Sequence, residues 1–176
     1  MRRQMFYTLR CKPVQIAEYA EKYDTFVHEV DMTEDVQEIG TRRYLTKDDL
    51  ERVAKWKAPR SAGHVRKNPQ EYVRAVTELA LTTENERLRI ESLTLLDGVG
   101  WPTASVILHF YHAERYPILD FRALWSLSLE MPSQYSFEFW WDYTLICRSL
   151  ATENNSDMRT LDKALWQYSK EHQGTV

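Results

Sequence analysis

The stretch "LDGVGWPTASVIL" spans residues 96–108 and holds two of the five glycines in this 176-residue chain. Gly98 and Gly100 flank Val99, and Pro102 begins an apolar run with helical spacing. Glycine permits positive φ angles and close backbone approach, so the pattern predicts a tight turn between two helices. Val99 would anchor that turn by pointing between the helices. For the two glycines alone, a simple helix connector with a glycine cap is the alternative interpretation.

Helical patterning extends over nearly the whole chain. Residues 13–30 repeat apolar residues at helical spacing after Pro13, and Thr46 is a good cap for a helix that runs to about Lys57. The sequence "TENE" at 83–86 predicts a capping box with Thr83 as the cap and Glu86 reaching back. We find no alternating strand pattern, internal repeat or low-complexity tract. The predicted fold class is therefore all-α, a helical bundle.

Further caps divide the C-terminal third into helices. Asp120 and Ser136 each stand as the expected cap before a run of helical spacing, and a last helix is expected to run from about Asp157. The helix after Ser136 is expected to bury one stripe of side chains, namely Phe137, Trp140, Trp141, Thr144 and Leu145.

The composition is that of an ordinary globular domain, with 43% hydrophobic and 28% charged residues. No apolar run approaches the roughly 20 residues of a membrane span, and no signal-peptide pattern is present, so we expect a cytoplasmic protein. Cys11 and Cys147 are too few for a four-thiolate iron–sulfur or zinc site, and two buried thiols are the simpler expectation. We therefore expect no cofactor and no membrane partner.

Charge is distributed unevenly around the net value of −3. Residues 18–38 hold eight acids and one lysine, whereas residues 51–67 hold six bases and one acid. A local basic face matters more for phosphate binding than the total charge. Within it, Trp56 could stack on a base and the cations could follow a DNA strand, or Trp56 could pack in the core beside a solvated basic surface. The candidate DNA contacts here are Lys55, Trp56, Lys57 and Arg60.

Residues 88–127 resemble the helix-hairpin-helix DNA glycosylase superfamily that includes endonuclease III and MutY. The family pattern L-x-G-V-G-x-x-T-A is matched by Leu96, Gly98, Val99, Gly100, Thr103 and Ala104, and "YPILD" ends at Asp120, where the family has an essential aspartate. The resemblance implies that the hairpin binds the phosphate backbone of double-stranded DNA and that Asp120 is catalytic. It assigns the hairpin contacts to Gly98, Val99, Gly100, Trp101 and Thr103.

Two differences from the family pattern limit the activities that the resemblance implies. The position of the lysine nucleophile of bifunctional members is Pro102 here, and no lysine lies between Lys67 and Lys163. The four C-terminal cysteines of the cluster-bearing members are also missing. The resemblance therefore implies a compact, monomeric, monofunctional glycosylase of base excision repair that removes a damaged or modified base, without a Schiff base, a lyase step or an iron–sulfur cluster.

Two small helical lobes with a cleft between them are the expected architecture. One lobe would comprise residues 46–114 and end in the hairpin at 88–113, and the other would comprise residues 1–45 plus 115–176. On these lobes Arg122 could pair with phosphate or with a nearby acid, of which we expect the ion pair, and we expect Arg159 to pair with Asp162. His109 and His112 lie one helical turn apart without a third ligand, so no metal site is expected.

Asp120 has two compatible interpretations. As a helix N-cap it would accept hydrogen bonds from the amides that follow it, and as a catalyst it would be an anion facing the sugar of an extruded nucleotide. Two other functions compete with the glycosylase. One is a helix-hairpin-helix DNA-binding module in which Asp120 is only a cap. The other is a protein-interaction domain, which the acidic 18–38 segment would suit.

Overall fold

The computed structural model describes residues 5–24, 35–114 and 116–174. All regular elements in these ranges are helical, which confirms the prediction of an all-α fold. No helix within the described ranges combines the length and the apolar character that a bilayer crossing requires. The chain divides into two compact units: unit one is residues 1–24 with 116–176, and unit two is residues 25–115.

Ten α-helices lie in the described ranges, joined by short turns. In chain order they are α1 Ile16–Lys22, α2 Val36–Arg42, α3 Lys47–Lys57, α4 Ala62–Val65, α5 Gln70–Thr82, α6 Glu86–Leu93, α7 Trp101–Tyr111, α8 Phe121–Ser126, α9 Phe137–Glu153 and α10 Met158–His172. Two 3₁₀ turns precede α1 and α4, at Pro13–Gln15 and Pro59–Ser61.

Unit one is organised around α10, against which α1, α8 and α9 pack. The extended segment ahead of α1 is tied to the end of α8: the amide of Thr8 donates to the carbonyl of Leu127 and that of Arg10 to Ser126. Trp140 and Tyr143 of α9 are fully buried in this unit. The apolar faces of four helices thus share one core.

Both cysteines of the chain are buried in unit one, as expected from the sequence. Cys11 and Cys147 are free thiols. Burial raises the pKa of each thiol above its ordinary value. Neither side chain has the exposure or the lowered pKa of a reactive cysteine.

Unit two is organised around α7, which is flanked by α2, α3 and α6, while α5 packs on α3 and α6. Residues 35–45 belong to this unit, although the sequence suggested placing residues 1–45 with the other lobe. The reason is local packing, since Ile39 and Leu45 are fully buried. The amide of Leu45 also donates to Thr77 Oγ1 at 2.9 Å, and Arg42 pairs with Asp49.

Side-chain caps start five of the ten helices in the described ranges. Thr46 accepts from the amide of Asp49 in a capping box, which confirms the predicted start of α3. Asp120 and Ser136 cap α8 and α9 as predicted, and Asp157, near which the last helix was expected to start, caps α10. The capping box predicted at 83–86 is wrong. The cap of α6 is Asn85, whose side chain accepts from the amide of Leu88, and Glu86 instead pairs with Arg89.

The predicted first helix is shorter in the structure. Residues 13–15 form a 3₁₀ turn and α1 ends at Lys22, because Tyr23 has an extended backbone. The predicted continuation through residues 25–30 lies outside the described residues.

The buried stripe of α9 is also rotated from the predicted one. Leu145 is 46% exposed, whereas Tyr143 and Cys147 are fully buried. The hydroxyl of Tyr143 donates to the carbonyl of Ile118 at 2.8 Å, and this bond holds that face of α9 inward.

We expect Asn85→Ala to destabilise the protein by about 1 kcal/mol, because the amide of Leu88 loses its acceptor. Thr83→Ala should cost less, since its hydroxyl accepts from the amide of Asn85, ahead of the helix, and satisfies no amide of α6. Urea denaturation of both variants measures the difference. A larger loss for Thr83→Ala would restore the capping box predicted from the sequence.

Candidate functional site

The glycine turn lies between α6 and α7 in unit two, and its two glycines differ in kind. Gly98 has φ +80°, and a Cβ on it would lie 2.9 Å from the carbonyl oxygen of Ser61 and the amide nitrogen of Val65. Gly98 is therefore required both by its backbone conformation and by its close approach to the 61–65 backbone. This confirms the predicted tight turn for Gly98.

Gly100 does not share these constraints. It is the N-cap of α7, with φ −92° and ψ 177°. A Cβ there would meet only Pro102 Cδ, at 3.8 Å. A side chain at Gly100 therefore would not block the turn, because Gly100 is exposed and its added Cβ would make only an ordinary contact.

The side chain of Asn68 fixes the glycine turn by hydrogen bonds. The sequence did not reveal this role. Its side chain is 3% exposed. Asn68 Oδ1 accepts from the amide of Asp97 at 2.9 Å, and Nδ2 donates to the carbonyl oxygens of Asp97 and Val65. One buried amide therefore ties the glycine turn to the end of α4.

The amides of Asp97 and Val99 in the turn already donate to Asn68 Oδ1 and to the carbonyl of Leu96, so the amides at the start of α7 are the groups available to an anion. The first helical bond of α7 runs from the amide of Ala104 to Gly100, so the amides of Trp101 and Thr103 precede the helical ladder. Val99 and Thr103 are only 5% and 3% exposed. Their side chains are packed inward, as expected for Val99, so these two residues could meet DNA only through their backbone.

The structure places part of the basic segment directly against the glycine turn. Residues 61–65 form the surface that Gly98 contacts, and Arg60 and Lys67 flank that surface and are exposed. Lys55 on α3 is exposed as well. None of these three cations forms an ion pair with any residue in the described ranges.

The other cations of residues 51–67 contribute less positive charge to this surface, because most of them are paired with acids or half-buried. Arg66 pairs with Glu51 at 3.0 Å, and Arg52 pairs with Asp49 and Asp35. Lys57 is half-buried, and Asp97 adds one exposed carboxylate to the turn. The available positive charge therefore comes from Lys55, Arg60 and Lys67.

Trp56 packs against its own unit. Its ring meets Phe110 of α7 edge-to-face, with centroids 5.8 Å apart, and its side chain is half-buried. Of the two interpretations of Trp56, this arrangement favours packing, although part of the ring stays accessible.

Asp120 lies in unit one at the start of α8. Its Oδ1 accepts from the amide of Arg122 at 2.9 Å, and the residue is half-buried. The preceding residues 116–119 are buried, and the bond from Tyr143 to Ile118 fixes their course. Burial raises the pKa of Tyr135, and the nearby negative charge of Asp120 raises it further. Asp120 is thus a firmly oriented carboxylate beside a phenol.

Two neighbouring expectations about charged side chains have different outcomes. Arg159 pairs with Asp162, as predicted. Arg122 forms no ion pair with an acid of the described chain. Its guanidinium lies instead over the rings of Phe121 and Trp166, at 5.1 and 5.4 Å from their centroids.

No group of three His, Cys, Asp or Glu side chains in the described ranges is placed to hold a metal ion. The ring of His109 packs on Phe110, with centroids 4.9 Å apart. Burial and the adjacent Arg89 guanidinium lower the pKa of His112 to about 4. Both imidazoles therefore have local packing roles.

Three comparisons with known proteins found no match for this chain, neither among protein-family models nor among curated proteins or solved structures.

We expect Gly98→Ala to destabilise unit two by about 2 kcal/mol or more, because the new Cβ adds strain at positive φ and collides with backbone atoms. Gly100→Ala, the matched control, should change stability by less than about 0.5 kcal/mol, since its φ and surroundings accept a side chain. Urea unfolding of both variants measures the contrast. Equal losses would contradict the assignment of the close approach to Gly98 alone.

Proposed function

We propose that this chain is a monofunctional DNA N-glycosylase that binds duplex DNA through residues 98–103 and hydrolyses the bond between a damaged or modified base and its sugar. The observation that carries the DNA-binding part is the contact of Gly98 with residues 61–65. That contact joins the turn, which leads into the amides of Trp101 and Thr103 at the start of α7, to the segment that carries the uncompensated cations Arg60 and Lys67. Together they provide hydrogen-bond donors and positive charge for a phosphate.

In the proposed complex, the exposed backbone at Gly100 and the amides of Trp101 and Thr103 face one DNA phosphate. Arg60, Lys67 and Lys55 supply longer-range attraction to neighbouring phosphates, so binding should depend steeply on salt. Asp97 opposes this attraction weakly because it is an exposed acid in the same turn. These contacts read the backbone and position the protein, and they carry no base sequence information.

In the proposed reaction, one charged side chain, Asp120, assists the breaking of the bond between base and sugar. The C1′–N bond breaks with its electron pair leaving on the base, while water adds to C1′ and releases a proton. The Asp120 carboxylate opposes the positive charge that develops on the sugar, or accepts the proton from water. The cap bond to the amide of Arg122 keeps one oxygen oriented. Since Pro102 occupies the hairpin position of a lysine nucleophile, no Schiff base and no strand cleavage follow.

A DNA-binding module without catalysis is the second candidate. The observation that favours it is the same cap bond, because Asp120 stabilises α8 whether or not it meets a substrate. The two candidate functions share DNA binding by the hairpin, and they differ only in whether Asp120 takes part in a reaction.

For DNA binding, we expect Gly100→Glu to weaken duplex affinity at least ten-fold at low salt, because the carboxylate lies where a phosphate would lie. Gly100→Gln has the same size without the charge and should lose less. Gly174→Glu adds the same charge at an exposed glycine of unit one and should bind as the wild type does. Fluorescence anisotropy with a labelled duplex at two salt concentrations measures all three. Wild-type affinity for Gly100→Glu would remove the hairpin from the interface.

For catalysis, Asp120→Asn should slow base release about 10²–10³-fold, because one preorganised charge is lost. The melting temperature should change little, since asparagine caps about as well as aspartate. DNA affinity should hold or rise, because a negative charge is removed. Single-turnover assays on duplexes carrying different damaged bases, read by alkali cleavage at abasic sites, measure base release. If the wild type releases a base and Asp120→Asn releases it equally fast, Asp120 is only a cap. If no duplex loses a base, the binding module is the better description.

A further inference from the structure

A cluster of two aromatic rings and four cations lies on one surface of unit one. Tyr23, just after α1, meets Trp166 of α10 edge-to-face with centroids 5.3 Å apart. The charged groups of Arg159 and Lys163 lie over the Tyr23 ring at 5.3 and 5.5 Å. Those of Arg122 and Lys170 lie over the Trp166 ring at 5.4 and 5.2 Å. We call these six residues the cation–aromatic cluster.

Four members form a continuous stripe along α10. Arg159, Lys163, Trp166 and Lys170 follow spacings of four, three and four residues, which place them on one narrow face of a helix. The stripe is about 16 Å long, from the helical rise of 1.5 Å per residue. Phe121, which is 47% exposed, extends the surface beside Arg122.

The cluster is accessible, and two of its four cations, Arg122 and Lys170, carry charge that no ion pair in the described ranges compensates. Lys170 is exposed, while Trp166 and Arg122 are half-buried. Arg122 and Lys170 form no ion pair with any described residue, although Arg159 pairs with Asp162. Glu18, one of the two acids on α1, is paired with Lys22.

A polyanion with flat, unstacked rings fits this surface. Cations along a helix attract consecutive phosphates, and aromatic rings between them offer stacking platforms to exposed bases. A base can replace the Lys170 ammonium on the face of Trp166 and leave the lysine to a phosphate. A duplex keeps its bases stacked inside and would use only the cations. An acidic peptide would likewise use only the cations and leave the rings without planar partners.

We propose that the cation–aromatic cluster is a binding site for single-stranded DNA. The site concerns unit one alone and does not require the proposed phosphate contacts of the hairpin in unit two. The strand would lie along α10, with Arg122 and Lys170 on phosphates and Trp166 under one base.

The test uses the full chain and a fluorescein-labelled oligothymidylate of about 12 nucleotides, in the size range of single-strand sites. We expect Arg122→Gln/Lys170→Gln to weaken binding about ten-fold and to reduce the salt slope by about 1.4, because two phosphate contacts are lost. Lys12→Gln/Lys47→Gln removes the same charge outside the cluster and should bind nearly as the wild type does.

Stacking is tested separately at Trp166. Trp166→Ala should weaken binding about ten-fold, whereas Trp166→Phe should restore most of the affinity because a ring remains. Circular dichroism melts confirm that each variant is folded at the assay temperature.

Equal losses in the cluster pair and the control pair would overturn the proposal, and so would poly-glutamate competing as well as oligothymidylate at equal charge. Gly100→Glu separates this site from the hairpin. Loss of duplex binding with retained oligothymidylate binding supports two independent surfaces, while loss of both assigns the single strand to the hairpin and overturns the cluster site.

Discussion

The approach of Gly98 to the backbone of residues 61–65 is the constraint on which unit two depends. It sets the path of the chain between α6 and α7, and it fixes the distance between the turn and the basic segment. Asn68 makes the contact rigid by bonding both partners. Because the contact is between backbone groups, any side chain at position 98 must displace either the turn or α4. Fold and candidate interface therefore depend on the same few atoms.

The sequence predicted a helix start well where a single side chain caps the helix that directly follows it. Thr46, Ser136 and Asp120 each cap the helix that follows, because a cap needs only a short polar side chain next to a helical pattern. It failed at Thr83, where Asn85 offered a better acceptor two residues later. It also misplaced the buried face of α9, because the bond from Tyr143 to a carbonyl remote in the chain decides that orientation.

The candidate sites show the same division between local and distant effects. The motif at 96–108 singled out Gly98, but the neighbour that makes this glycine necessary comes from residues 61–65 and could not be read from the motif. In unit one, the stripe on α10 has visible helical spacing. The stripe becomes a cation–aromatic cluster only with Tyr23 and Arg122, which come from two other segments of the chain. Arg122 was expected to meet an acid and lies over aromatic rings instead, because packing of α8 on α10 decides its neighbours.

The burial of both thiols in unit one gives the molecule a built-in reporter of local opening. Unit two contains no cysteine, since Cys11 and Cys147 are the only two in the chain. A thiol reagent can modify the native protein only when unit one opens far enough to expose one of them. The modification rate of the unaltered protein therefore measures the opening of unit one alone. Comparing it with global unfolding would show whether the two units open together or one at a time.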